Sequence, residues 1–201
     1  MIDIAIIDYN AGNTINVKNA FGKLGANVVI SDSPFIWEKA DGIIFPGVGY
    51  FGSAVRNLDE NAKLLKDLIT KKKVPFFGIC LGMQLLMDKS DESPEINGLG
   101  IIPGQVCRFE GSYPIPQIGW NKVEQLNSPL FDGLDDFYAY FAHSYYCDPT
   151  DKTLVAATTK YGEQFSSAFW KENIFAVQFH PEKSGELGLK ILKNFLNEVR
   201  K

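Results

Sequence analysis

Cys80 stands between two glycines in Gly78-Ile79-Cys80-Leu81-Gly82, a spacing that suits a nucleophile carried on a strand-to-helix turn. The apolar Val74-Pro75-Phe76-Phe77 before it predicts a buried strand, and Met83-Gln84-Leu85-Leu86-Met87 after it supplies good helix formers. Glycines on both sides let backbone pack closely around a strained elbow, with the cysteine exposed at its tip. A thiol there feels the positive end of the helix, which favours the thiolate. The Leu81 amide points to where an oxyanion forms in acyl transfer. The competing reading is a core cysteine beside two packing glycines, since free cysteine is among the most buried residue types.

A thiolate nucleophile needs a base, and the chain has two histidines, His143 and His180. His180 opens His180-Pro181-Glu182 directly after Ile174-Phe175-Ala176-Val177-Gln178-Phe179, an alternating, largely apolar run that predicts a strand. The imidazole then lies at a strand end, where α/β proteins build their sites. Glu182, two residues on, can curl back to hold one ring nitrogen while the other faces a thiol, which completes a nucleophile, base and orienting acid. A capped turn with a surface glutamate is the plainer alternative. His143 lies in the aromatic run Tyr138-Ala139-Tyr140-Phe141-Ala142-His143-Ser144-Tyr145 and has no carboxylate placed like Glu182, so it is assigned a structural or substrate-side role.

The elements that position these groups alternate strand and helix in the first half. Strands are expected at residues 2–7, 27–30 and 42–45, and helices at residues 13–24 and 62–70, an order that implies parallel β-α units. After Gly100 the pattern changes to short strands divided by Gly, Pro and Asn. Residues 167–171 and 174–178 form an expected antiparallel pair across Glu172-Asn173. Residues 186–199 place Leu189, Leu192, Phe195, Leu196 and Val199 at helical spacing. Residues 88–98, rich in acidic residues, Pro and Gly, read as a flexible loop. Pro46-Gly47-Val48-Gly49-Tyr50-Phe51-Gly52 has no phosphate-loop lysine and no Gly-x-Gly-x-x-Gly start; it reads as a loop whose amides can approach a ligand, or as a tight turn.

Composition narrows the function classes. With 201 residues, 45% of them hydrophobic, the chain can bury a full core as one domain spanning residues 1–201. A net charge of −4 supplies no basic field for nucleic acid, and Lys71-Lys72-Lys73 reads as the solvated end of a helix. The N-terminus lacks a basic leader, and no apolar run reaches membrane-spanning length, so a cytoplasmic location is expected. The three cysteines, at 80, 107 and 147, fit no metal-ligand spacing and suit a reducing compartment. Cys107 and Cys147 are read as structural.

On these residues the chain resembles the class I glutamine amidotransferases, whose triad joins a cysteine in Gly-x-Cys-x-Gly to a His-Pro-Glu near the C-terminus. Within them it is most similar to the glutaminase subunits of imidazole glycerol phosphate synthase. The resemblance runs nearly end to end, through Asp8-Tyr9-Asn10-Ala11-Gly12-Asn13, Pro46-Gly47-Val48-Gly49, Gly78-Ile79-Cys80-Leu81-Gly82-Met83-Gln84, Gly119-Trp120-Asn121, His143-Ser144-Tyr145 and His180-Pro181-Glu182-Lys183-Ser184. It implies a flavodoxin-like α/β fold, a central mostly parallel sheet flanked by helices with added antiparallel strands in the C-terminal half.

The resemblance also implies site roles. Cys80, His180 and Glu182 would be the triad, with amides of Val48 or Gly49 and Leu81 forming the oxyanion hole. Gly47, Gln84, Ser144 and Tyr145 would hold glutamine. Asn13, Trp120 and Lys183 would face a (βα)₈-barrel cyclase subunit that receives the ammonia. No metal or organic cofactor is called for. Asn13 also suits a helix N-cap, Trp120 suits a core site, and Asn10 departs from the glycine common at its position. Alternatives are the glutaminase subunits serving anthranilate, aminodeoxychorismate or pyridoxal phosphate synthesis, a non-enzymatic regulator, and a cysteine peptidase on a related scaffold.

Overall fold

The first half of the chain supplies β1 (Asp3–Ile7), α1 (Thr14–Lys23), β2 (Asn27–Ser31), α2 (Pro34–Lys39), β3 (Gly42–Phe45), α3 (Phe51–Leu58), α4 (Asn61–Thr70), β4 (Phe76–Ile79) and the single-turn α5 (Leu81–Gln84). The second half is mostly strand: β5 (Lys89–Ser90), β6 (Gly104–Arg108), β7 (Gln117–Gln125), β8 (Phe137–His143), β9 (Tyr145–Pro149), β10 (Val155–Tyr161), β11 (Glu163–Lys171) and β12 (Ile174–Val177), closed by α6 (Gly185–Val199). This computed structural model describes residues 2–9, 13–125 and 127–201. Asn10, Ala11 and Gly12 of the first motif lie outside the described residues.

The main path of the sheet runs β2-β1-β3-β4-β12-β11-β10-β7-β8. From β2 to β12 all neighbours are parallel, and from β12 onward they are antiparallel. β5, β6 and β9 form a side branch joined to β11 through Ser166 and Cys147. The apolar runs explain the parallel half: its strands are covered on both faces, so they need not alternate with polar residues. Ile4 and Ile6 of β1 face one core layer with Phe21, Leu192 and Phe195 of α1 and α6. Ala5 and Ile7 face the other, with Trp37, Phe51, Leu65 and Leu68 of α2, α3 and α4.

Two expectations change. Residues 88–98 are not an open loop: Asp91 N donates to Val106 O at 2.9 Å, Gly98 N to Asp88 O at 2.8 Å, and Ser93 is fully buried. Three of its carboxylates tie the segment to its neighbours: Asp88 and Asp91 accept from Gly104 N and Arg108 N of β6, and Glu92 Oε2 accepts from Phe51 N at 2.6 Å, at the start of α3. Asn13 does precede α1, but its side chain makes no capping hydrogen bond.

Candidate active site

β4 and β12 lie in parallel register with Ile79 opposite Val177, so the residues just past their ends are neighbours. Cys80 N donates to Val177 O at 2.7 Å, which brings the elbow beside Gln178 and the turn that follows. Cys80 has φ 53° and ψ −104°, a left-handed backbone that is strained for a residue with a Cβ. The flanking glycines have a concrete reason. A Cβ on Gly82 would lie 1.9 Å from Phe45 O, and one on Gly78 would lie 2.6 Å from Gly82 O, so the elbow packs backbone on backbone against β3. Cys80 is not exposed as the tip position suggested; it is 5% accessible, because the bend turns its side chain into a cavity. With only one turn in α5, the helix contribution comes from first-turn amides rather than a long dipole.

His180 is held at the head of a 3-10 turn over Pro181–Lys183. Its N–H donates to Tyr140 O at 2.9 Å, Ser184 Oγ donates to its carbonyl at 2.7 Å, and Tyr140 N donates to Ser184 Oγ at 3.0 Å. Nδ1 lies 3.0 Å from Glu182 Oε1, both side chains being almost fully buried. The carboxylate fixes the ring with its proton on Nδ1 and Nε2 turned away. Nε2 is buried with no fully formed hydrogen bond, and the Cys80 sulfur is the group that acts on it. Burial opposes charge on His180, but the Cys80 thiolate and Glu182 outweigh it and raise the imidazole to about 10. The arrangement favours the charged imidazolium at His180 beside the Cys80 sulfur, with contacts that tighten once substrate is bound.

A cavity of about 230 Å³ opens over Cys80, lined by Gly49, Leu81, Gln84, Glu92, Ser144 and Tyr145 among others. That volume suits an amino-acid-sized ligand. Gln84 Nε2 donates to Tyr145 O at 3.1 Å, and Ser144 O accepts from Phe109 N at 3.1 Å, so this wall is pre-formed. Glu92 went unnoticed in the sequence because it sits in a segment read as loop; burial raises its carboxyl, and it supplies negative charge at the cavity wall. Gln178, at the end of the apolar run, carries no sequence signal of a role in the site.

The loop after β3 reaches the elbow, but its donors are not free. Leu81 N donates to Gly47 O at 3.3 Å, so the amide expected at an oxyanion is occupied by a carbonyl. A Cβ on Gly47 would lie 2.6 Å from the Tyr9 hydroxyl and 2.7 Å from Leu81 Cβ. The loop is therefore seated tightly on the elbow. Tyr9 Oη is 3.5 Å from Val48 O. Gly49 lines the cavity, and with Leu81 N taken up by Gly47 O the donor pair is not assembled in this arrangement.

His143 lines the same cavity, but both of its ring nitrogens are engaged outside the triad. One ring nitrogen is 2.7 Å from Tyr145 O and the other 3.0 Å from the Gln117 carboxamide, with Phe109, Phe141 and Phe165 around the ring. Burial, only partly offset by the bond to Tyr145, lowers it to about 4. Trp120 is not a core residue: it is 58% exposed on the face of β7–β8 it shares with Ile118, Tyr138 and Tyr140. Lys183 Nζ lies 5.6 Å over the Tyr140 ring, next to the same face.

Comparison with known proteins agrees with this geometry. The family model described as glutamine amidotransferase class-I matches residues 5–199. Imidazole glycerol phosphate synthase subunit HisH 1 of Methanococcus maripaludis is 46% identical, covering 98% of this chain and 100% of that protein. Subunit HisH of Gloeothece citriformis is 49% identical over 100% and 98% of the two chains. Among solved structures, a glutamine amidotransferase superposes with a TM-score of 0.78 at 18% identity, covering 98% of this chain and 99% of that one. Another from Thermotoga maritima gives 0.74 at 18%, covering 100% and 99%. The chain belongs to the class-I glutamine amidotransferase family, and within it to the family of HisH subunits of imidazole glycerol phosphate synthase.

Proposed function

We propose that this protein is the glutaminase subunit of imidazole glycerol phosphate synthase, acting in histidine biosynthesis as a single catalytic domain in the cytoplasm. The observation that carries the chemistry is the β4–β12 register, which sets Cys80 beside a buried His180 already oriented by Glu182. The Cys80 thiolate attacks the side-chain carbonyl carbon of glutamine. The tetrahedral intermediate collapses as His180 passes its proton to the departing nitrogen, so the C–N bond breaks, ammonia leaves and a glutamyl thioester remains. Water then gives a proton to His180 and attacks the thioester; the C–S bond breaks, releasing glutamate and restoring the thiolate. Glu92 supplies a counter-charge for the substrate's α-ammonium, and Gln84, with the Gly47, Ser144 and Tyr145 backbone, shapes its site. No cofactor enters these steps.

The ammonia released at Cys80 needs a destination. The exposed strip of Ile118, Trp120 and Tyr138 lies directly over the site, since Ile118 also lines the cavity and Tyr140 packs 6.4 Å from the His180 ring. We assign this face, with Lys183 and Asn13, to a (βα)₈-barrel cyclase subunit that makes imidazole glycerol phosphate and an aminoimidazole carboxamide ribonucleotide. The Gly47 carbonyl on Leu81 N supports a resting, switched-off hole. Turning the Gly47–Val48 peptide frees Leu81 N and presents Val48 N–H as the second donor. Breaking one neutral hydrogen bond costs about 0.5–1.5 kcal/mol, which coupling between sites of about 1–3 kcal/mol can offset.

Steady-state assays test both parts. Cys80→Ala should abolish glutamine-dependent synthesis by the complex yet leave synthesis from ammonium salts, while Cys107→Ala keeps most activity. Full glutamine-dependent turnover in the Cys80 variant would sink the assignment. Glutaminase turnover should rise from lone subunit to complex to complex with acceptor ligand; equal rates in all three would refute the switch and leave the triad standing.

A further inference from the structure

We infer that the Gln178 carboxamide is a positioning group for the Cys80 sulfur, tying the nucleophile to the wall of the substrate cavity; the inference deepens the glutaminase reading and rests on it. Gln178 is fully buried at the end of β12, its backbone N–H bonded to Ser167 O at 2.9 Å. Its side-chain Nε2 lies 3.5 Å from Cys80 Sγ, and its Oε1 accepts from Gln84 Nε2 at 3.2 Å.

The direction of every bond in this chain is forced. The Tyr145 carbonyl can only accept, so Gln84 must turn its NH₂ toward it. That same NH₂ needs an acceptor on its other side, which places Gln178 Oε1 against Gln84. The Gln178 NH₂ is then left facing sulfur. An amide fixed this way favours the thiolate over the thiol, because a donor stabilises the charged form of its acceptor. It also holds Sγ on the cavity side of a backbone whose strain would otherwise admit other rotamers.

The other titratable groups that act on Cys80 come from three further elements. They are His180 in the turn after β12, Tyr9 at the end of β1 and Cys147 in β9, while Glu92 and His143 line the same cavity. Of these His180 alone brings positive charge, and a buried tyrosine or thiol adds none. Gln178 is thus the neutral donor that complements it without competing for the transferred proton.

The test is the pH dependence of Cys80 alkylation by iodoacetamide in the full chain, read by mass spectrometry so that Cys107 and Cys147 are scored separately. Gln178→Met keeps length and volume but has no donor; Gln178→Glu keeps shape and replaces the donor with an anion. The alkylation midpoint should rise by about one pH unit in Gln178→Met, a tenfold loss of thiolate below the midpoint or roughly 1.4 kcal/mol, and further in Gln178→Glu. The limiting rate at high pH should stay within twofold. Glutamine turnover should fall through kcat, with KM within about twofold.

Equal midpoints in all three proteins would show that Gln178 only packs, and would overturn the inference. If either variant misfolds, the wild type still decides: the Gln178 side-chain NH₂ resonance should titrate with the alkylation midpoint, and a resonance that does not move refutes the contact. A wild type that alkylates at Cys80 yet never hydrolyses glutamine would defeat the glutaminase reading instead, with the midpoint shift still deciding the role of Gln178.

Discussion

His143 and His180 are pushed in opposite directions by their surroundings, and His143 offers the sharper measurement. Burial among three phenylalanine rings keeps it neutral in the folded protein down to about pH 4, whereas in the unfolded chain it protonates near the ordinary value of about 6.5. As pH falls from 6.5 to 4 the unfolded state gains a proton that the native state lacks, so stability is lost across that window. Each pH unit there is worth about 1.4 kcal/mol, and the integrated loss by pH 4 is ~3 kcal/mol, a large share of an ordinary domain's stability. His180 adds nothing to this slope. Its folded value near 10 gives stability that is complete below 6.5 and is lost only as pH rises toward 10. Glu92, raised by burial, runs the other way and binds its proton first in the native state. A paired comparison cancels it. Urea unfolding, followed by tryptophan fluorescence and circular dichroism, should show wild type more stable than His143→Asn at pH 7, with the gap closing by ~3 kcal/mol toward pH 4. Parallel curves would mean that His143 is not a buried neutral ring, and would reopen its candidacy as the base.

The triad makes a different forecast. His180→Ala should be nearly inactive as a glutaminase, Glu182→Gln should retain more activity because the base survives its orienter, and His143→Asn should be milder than His180→Ala; steady-state kinetics on folded variants that reverse the two histidines would overturn the assignment. Gly82→Ala puts a methyl 1.9 Å from Phe45 O, which the sheet backbone cannot yield, so the variant should lose more than ~3 kcal/mol of stability or fail to fold. A thermal midpoint like that of wild type would show that the elbow can retreat from β3.

The parallel half of the fold was legible because its strands are continuous apolar runs between turn signals. Residues 42–45 give β3 with the expected bounds, and residues 174–178 give β12 to within one residue. α2 and α3 were not read at all: Pro34–Lys39 is too short for a helical period to show, and Phe51–Leu58 follows a glycine-rich loop that masks its start. Residues 88–98 misled for a related reason. Acidic residues with Pro and Gly suggest solvent, yet here Asp88, Asp91 and Glu92 accept from backbone amides of β6 and α3, and no local pattern records those partners.

The candidate site divides along the same line. Which groups can react is written in their types, a cysteine between glycines and a histidine two residues from a glutamate. Where they meet depends on β4 and β12 being parallel neighbours, a pairing between distant segments that periodicity does not encode. Whether the oxyanion amides are free depends on something subtler, the orientation of one peptide. Gly47 is tolerated only as glycine because Tyr9 and Leu81 crowd it, and the same absence of a Cβ keeps its carbonyl free to turn. One residue choice thus serves tight packing in the resting state and a low barrier to leaving it. A sequence motif preserves that choice without disclosing which of the two orientations the folded chain adopts.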